Sequence, residues 1–193
     1  LKKNNIPDDF KYLSLAESGF QEKIISPAGA VGLWQLMKKA AMENGLEVSN
    51  EVDERYHAEK STEAACRYLN RSYHQYGNWV NVAASYNAGI NGIKRQTELQ
   101  DSRNYFDLQL NDETARYVYR ILALKLIMEN PEKYGFKVSE EEIKTLHKTI
   151  LFGTGRIKKP VSFRGIAKTN LTEDQLDEAI EEAKKSLFPH KGF

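Results

Sequence analysis

The sequence predicts a mainly α-helical protein followed by a small mixed α/β extension. Two observations support this. Across the first 137 residues, apolar side chains recur three and four apart between helix caps and turn residues, and no strand-like alternation stands out. From residue 138 onward, short β-type runs bounded by glycine and proline appear beside a charged amphipathic stretch. The boundary therefore falls near Lys137, giving a helical domain over 1–137 and an extension over 138–193.

The first predicted helix lies in "IPDDFKYLSLAESGFQEK". Pro7 suits a first helical position, and Asp8 and Asp9 suit the positive end of a helix dipole. Phe10, Leu13 and Phe20 form its apolar stripe, and Glu17 interrupts that stripe. After the Gly/Ala/Pro-rich "ISPAGAVG", a second helix is expected over "LWQLMKKAAMEN". Leu33, Leu36, Met37 and Ala40 would share one face, with Gln35 opposite and Gly45 as the stop. "STEAACRYLNRSYHQYG" is a third, with Ser61 as N-cap and Gly77 beyond its end. "WVNVAASYNAG" is a fourth, ending at Gly89, and Asn111 or Asp112 caps a fifth that Pro131 closes. In the extension, "KTILFG" and "PVSFRG" are short candidate strands. "VSEEEIKTLHK" and "TEDQLDEAIEEAKKSLF" are candidate helices.

Composition bounds the function classes. The 193 residues are 40% hydrophobic and 28% charged, values of a globular chain with a substantial core. A net charge of +1, with the basic residues dispersed, gives no pull toward nucleic acid. No apolar run reaches the length of a membrane span. Cys66 is the single cysteine, set in a helical stripe, and reads as a small buried hydrophobe. The four histidines show no zinc-ligand spacing, so neither a metal nor another cofactor is expected. There is no G-x-S-x-G, P-loop or dinucleotide fingerprint.

Glu17 is the residue with chemical potential. On periodicity alone it reads either as a surface glutamate on a rotated helix or as a carboxyl whose pKa is raised by apolar burial. A carboxyl of the second kind holds a proton near neutrality and can act as a general acid. Gly19 beside it would allow another chain to approach.

"LAESGF", "SPAGAVGLWQLM", "SYNAG" and "ETARYV" occur in this order at fitting spacing. This set resembles the catalytic domain of lytic transglycosylases, the glycoside hydrolase family 23 group related to goose-type lysozyme. "GLWQ" and "DERYHAEKSTEAACRYL" fit its membrane-bound D branch. The resemblance spans Ile6 to Phe136. It implies a lysozyme-like helical fold. It also implies cleavage of the β-1,4 bond between N-acetylmuramic acid and N-acetylglucosamine without water, leaving a 1,6-anhydromuramic acid end.

By the same resemblance Glu17 is the single acid/base. Ser26 would contact the N-acetyl group, and Gln35 and Met37 would line the cleft. Tyr86 and Asn87 would flank the scissile bond. Glu113 would be a positioning carboxylate and Tyr117 a further cleft tyrosine. Each has a plainer reading: a capping serine, a solvent-facing glutamine, a core methionine, helix-end residues at 86 and 87, an acidic helix start at 113. Gly29 and Gly32 would shape the intervening turn. The chain departs from the family pattern at Lys38, Ala40, Ser85 and Ala115, where proline, threonine, alanine and arginine are usual.

The alternatives are a hydrolase on the same scaffold, needing a second carboxylate to activate water, and an inactive glycan-binding scaffold. The expected partner is the peptidoglycan glycan strand, not nucleic acid, and a monomer is expected. The substrate implies the periplasm or cell envelope. The chain opens at Leu1, so a membrane anchor would belong to a segment outside these residues. "VSFRGIAKTNLTEDQL" faintly resembles a degenerate lysin motif, although a packing appendage is the stronger reading of the extension.

Overall fold

A computed structural model describes residues 1–136 and 173–188. Among these residues it has seven α-helices: α1 (Phe10–Ser18), α2 (Lys38–Glu43), α3 (Ala58–Tyr76), α4 (Trp79–Ala88), α5 (Ile90–Leu99), α6 (Asp112–Glu129) and α7 (Glu173–Ser186). No strand occurs among them; β pairing is limited to the isolated bridges Ile25–Val31, Val31–Leu36 and Val48–Asp53. The proposed strands at 148–153 and 160–165 and the proposed helix at 138–148 lie outside the described residues. So does most of the lysin-like stretch.

Helix α1 starts later than its proline suggests. The N–H groups of Phe10, Lys11 and Tyr12 bond the carbonyls of Pro7, Asp8 and Asp9, so Pro7 opens a tight turn rather than the helix. Phe10 and Leu13 are fully buried, as the stripe requires, but Phe20, its third predicted member, lies beyond the helix end with φ of 61° and is only partly buried. Gly19 ends the helix in the left-handed region, with φ of 60°, and its N–H bonds the Leu15 carbonyl. A Cβ there would meet only the Gln21 amide at 3.5 Å, so the backbone angle explains this glycine and a close approach does not.

The second predicted helix is mostly a loop. Only Lys38–Glu43 is helical. Residues 24–37 fold into a tight hairpin-like loop in which Val31 and Leu36 exchange backbone hydrogen bonds of 3.1 and 3.2 Å. Gln35 takes φ of 45° and Gly32 takes φ of 77°. A Cβ on Gly32 would sit 2.3 Å from the Arg55 carbonyl oxygen, so this glycine is required by contact as well as by angle. Val31, Trp34 and Leu36 are buried. Of the face expected from helical period, Leu33, Leu36, Met37 and Ala40, only Leu36 is buried, because most of the segment is loop.

Ser61 does not cap α3. The helix begins at Ala58, and the His57 side chain accepts the Lys60 N–H. Ser61 is buried in the first turn, its hydroxyl on the Ala58 carbonyl at 3.2 Å. Asn78 caps α4 and Asn111 caps α6, accepting the Asn81 and Thr114 N–H groups at 2.8 and 2.9 Å. Helix α5 was not anticipated. Asn91–Gly92 is a turn signal, and Ile93 is the one fully buried side chain of the helix. Leu69 and Cys66 of α3, Val82 of α4, and Val118 and Ile121 of α6 join Phe10 and Leu13 in one core. Burial pushes the Cys66 thiol pKa up, as for an inert core cysteine.

The end of the extension enters this core. Leu187 and Phe188 are buried, and Phe188 stacks on Phe10 with ring centroids 4.4 Å apart. Beside them the Asp9 carboxylate accepts from Lys125 Nζ and from the Phe188 N–H, both at 2.8 Å. Lys125 also donates to the Ser186 carbonyl at 3.0 Å. The Asp9 and Lys125 side chains are only 10% and 8% exposed. Breaking such a pair on one side strands a charge in the interior. Lys125→Met is therefore expected to lower stability by about 3–5 kcal/mol in urea unfolding, and adding Asp9→Asn to recover a large part of that loss.

Candidate active site

Glu17 lies in the last turn of α1, half-buried against α6. The Tyr117 hydroxyl of α6 donates to Glu17 Oε1. Burial raises the Glu17 carboxyl above its ordinary value of 4.5, and the Glu113 charge pushes the same way, while the Tyr117 hydrogen bond and the Arg120 charge pull it down. The net shift is upward. Tyr117 is 2% exposed, and burial holds its phenol pKa well above 10, so it remains a donor.

Tyr86 also comes from a helix end, α4, but its hydroxyl donates to the Trp34 carbonyl at 2.8 Å. Of the two tyrosines, Tyr117 meets the carboxylate and Tyr86 props the 24–37 loop. Glu17 is close enough to Tyr86 for its charge to help raise that phenol, second to burial.

The loop carries Ser26, Gln35 and Met37. Ser26 Oγ accepts the Ala30 N–H at 3.0 Å, so this serine builds its own turn. Gln35 does not face solvent across a helix from Leu33 and Leu36. Its amide turns back onto the Gly32 carbonyl at 3.0 Å and the Ile24 carbonyl at 3.4 Å, because residue 35 is in the left-handed region of a loop. Met37 is 47% exposed, so the core reading of that methionine is overturned. Asn87 joins α4 to the start of α6. Its Oδ1 accepts from Thr114 Oγ1 at 2.9 Å, and its Nδ2 donates to Glu113 Oε1 at 3.5 Å.

Three fasteners of this loop were missed in the sequence. Ser14 and Ser18 of α1 both donate to the Leu33 carbonyl, at 3.0 and 2.8 Å, tying the loop to the helix of Glu17. Arg55, 8% exposed, donates to the Gly29 and Leu36 carbonyls at 3.0 and 3.1 Å. Its Nε and Nη2 grip the Asp53 carboxylate at 2.9 and 2.7 Å, which holds the Asp53 pKa down. The "DER" triplet was visible, but its target was not.

A cavity of about 780 Å³ opens along this face, and Gln35, Met37, Tyr86 and Asn87 are among its walls. Among the described residues no three His, Cys, Asp or Glu side chains are grouped to hold a metal ion.

Residues 1–109 match the model of the transglycosylase SLT domain. The chain belongs to that family. This SLT chain is 29% identical over 177 residues to membrane-bound lytic murein transglycosylase D of Escherichia coli K12, covering 89% of this chain and 39% of the relative. The same figures hold for the protein of that name from E. coli O6:H1. A putative tributyltin chloride resistance protein of Alteromonas sp. strain M-1 is 29% identical over 49% of this chain and 46% of its own length. The chain thus spans well under half of the curated relatives it matches. The crystal structure of the 70 kDa soluble lytic transglycosylase of E. coli superposes with a TM-score of 0.55 at 25% identity, over 64% of this chain and 22% of that one. The helical architecture is the lysozyme-like fold of this family.

Two outcomes are expected at this site. Tyr117→Phe removes the hydrogen bond that favours the Glu17 carboxylate, so the Glu17 pKa should rise further, whereas Glu113→Gln should lower it; carbon NMR titration of the Glu17 side chain reads both. Arg55→Lys cannot span two carbonyls and a carboxylate. Amide exchange at Val31, Gly32 and Leu36 should accelerate well ahead of that of α6.

Proposed function

We propose that this chain is a peptidoglycan lytic transglycosylase with Glu17 as its single acid/base. The observation that carries the reading is the partly buried Glu17 carboxyl, raised in pKa and held by the Tyr117 hydroxyl. Protonated Glu17 gives its proton to the glycosidic oxygen between N-acetylmuramic acid and N-acetylglucosamine, and the C1–O bond breaks. The resulting carboxylate then takes the proton of the muramyl C6 hydroxyl as that oxygen bonds C1. The glutamate ends protonated, no water is consumed, and the product carries a 1,6-anhydro ring.

The substrate supplies its own nucleophile, so a second catalytic carboxylate is not needed. The carboxylates present fit that scheme better than a hydrolase. Asp53 is gripped by Arg55, and Glu113 is bonded to Asn87. In this reading Tyr117 orients Glu17. Gln35, Met37, Tyr86 and Asn87 hold the sugars, and Ser26 contacts an N-acetyl group from the loop. Glu113 keeps the Glu17 proton in place by its charge. The substrate is found in the bacterial envelope, and the chain acts there on glycan strands, as a monomer. No helix among the described residues is long and apolar enough to cross a membrane.

The test is mass spectrometry of fragments released from purified sacculi. The wild type should release muropeptides one water lighter than hydrolysis products. Glu17→Gln should fold, bind glycan and lose nearly all turnover, by a factor of about a thousand or more. Full-mass reducing ends would instead indicate activated water and a hydrolase. The wild-type rate should fall as pH rises through the raised Glu17 pKa, because the acid form is then lost.

A further inference from the structure

The cavity lined by Gln35, Met37, Tyr86 and Asn87 does not stop at those residues. It continues between α2, α3 and α5, where Arg71, Gln75 and Asn91 line it. The two parts are joined by aromatic contacts. Tyr86 meets Tyr68 edge-on, with centroids 5.3 Å apart and planes at 76°. Tyr68 is fixed by its hydroxyl on the Ser85 carbonyl at 2.7 Å. Arg71, one turn further along α3, places its guanidinium carbon 5.5 Å from the Tyr68 ring centre.

The charge of this far arm is unbalanced. Glu43 is the one carboxylate on the cavity wall, and it is matched by Lys39 at 3.9 Å on its own helix. Arg71 pairs with no carboxylate among the described residues. An exposed guanidinium set over the Tyr68 ring and flanked by side-chain amides is chemistry for a carboxylate attached to amide groups. A neutral sugar gives such a cation nothing to recognise. The glycan of the proposed substrate is neutral apart from the short peptides borne on its muramic acid residues, which carry free carboxylates.

Resting on the proposed function, we propose that the far arm of the cavity, headed by Arg71, is a subsite for a carboxylate of the peptide stem. Arg71 is then a specificity residue that favours stem-bearing glycan over bare glycan. Tyr68 orients it, and Gln75 and Asn91 bond the peptide backbone.

The test compares binding to the full chain in a Glu17→Gln background, so that no turnover occurs. The probes are a soluble muramyl disaccharide with its peptide stem, the same disaccharide stripped of peptide and with its freed lactyl carboxyl capped as a primary amide, and the stem form with its carboxylates amidated. The stem-bearing probe should bind more tightly than either of the others. Arg71→Gln should reduce that preference about five- to tenfold, with Arg71→Lys intermediate. A preference that survives Arg71→Gln, an amidated stem that binds as well as the free acid, or no stem preference at all would each overturn the proposal. An equal loss for all three probes would overturn it too, because Arg71 would then be shaping the cavity. Wild-type cleavage of sacculi judges the transglycosylase reading separately, since these affinities remain readable whether or not any bond is cut.

Discussion

The seam between α1 and α6 is the constraint on which the rest of the molecule depends. Three polar contacts cross it, one of them from the Tyr12 hydroxyl to Glu129 Oε1 at 3.4 Å. Asp9 meets Lys125 at one end, and Glu17 meets Tyr117 at the other. Eight residues separate the two partners on each helix, about 12 Å of rise, so the pairs match in register on antiparallel neighbours. Between them Phe10 and Leu13 fill the gap against Val118 and Ile121. Sliding either helix by one turn would unpair a buried charge and pull the Glu17 carboxyl from its donor at once. The C-terminal segment strengthens the same seam, because the Phe188 N–H and ring land on Asp9 and Phe10.

The second structural unit is the 24–37 loop, held by its neighbours as well as by its own backbone pairing. Ser14 and Ser18 tie its Leu33 carbonyl to α1, Tyr86 holds its Trp34 carbonyl from α4, and Arg55 collects its Gly29 and Leu36 carbonyls. Buried carbonyls without partners would each be costly, so these side chains decide the loop's shape as well as its stability. A loop braced from α1, α4 and the Arg55 turn can present Gln35 and Met37 at a fixed place relative to Glu17. Acid catalysis on a positioned bond requires that.

The electrostatics of Glu17 are a balance of opposed effects. Burial and Glu113 favour the protonated acid that the proposed reaction uses first; Tyr117 and Arg120 favour the carboxylate that it uses second. A group that serves as acid and then as base within one turnover gains nothing from an extreme shift in either direction. The raised pKa also bears on folding. Ionised Glu17 opposes the native state above the unfolded value, so its contribution to stability is complete at acid pH and declines as pH rises through the folded value.

What the sequence by itself determined was the local content. The helical class, the Asn111 cap, the Gly77 and Gly89 stops and the position of Glu17 on an apolar stripe depend on residues within a few positions of one another. Of the residues singled out by the resemblance in its motifs, Gln35, Met37, Tyr86 and Asn87 line the cavity, whereas Glu17, Ser26, Glu113 and Tyr117 are not among its walls. Only the tertiary structure decided which tyrosine meets Glu17: it is Tyr117, 100 residues away, while the Tyr86 hydroxyl is spent on the Trp34 carbonyl. It also decided that 33–37 is loop and not helix. Buried apolar spacing looks the same in both, and what breaks the helix is the left-handed backbone at Gly32 and Gln35 and the contact with Arg55. Likewise, nothing local shows that Phe188 returns to Phe10 and Asp9. Helix periodicity is a property of neighbours along the chain, whereas a site is assembled from distant segments whose partners are chosen only when the core closes.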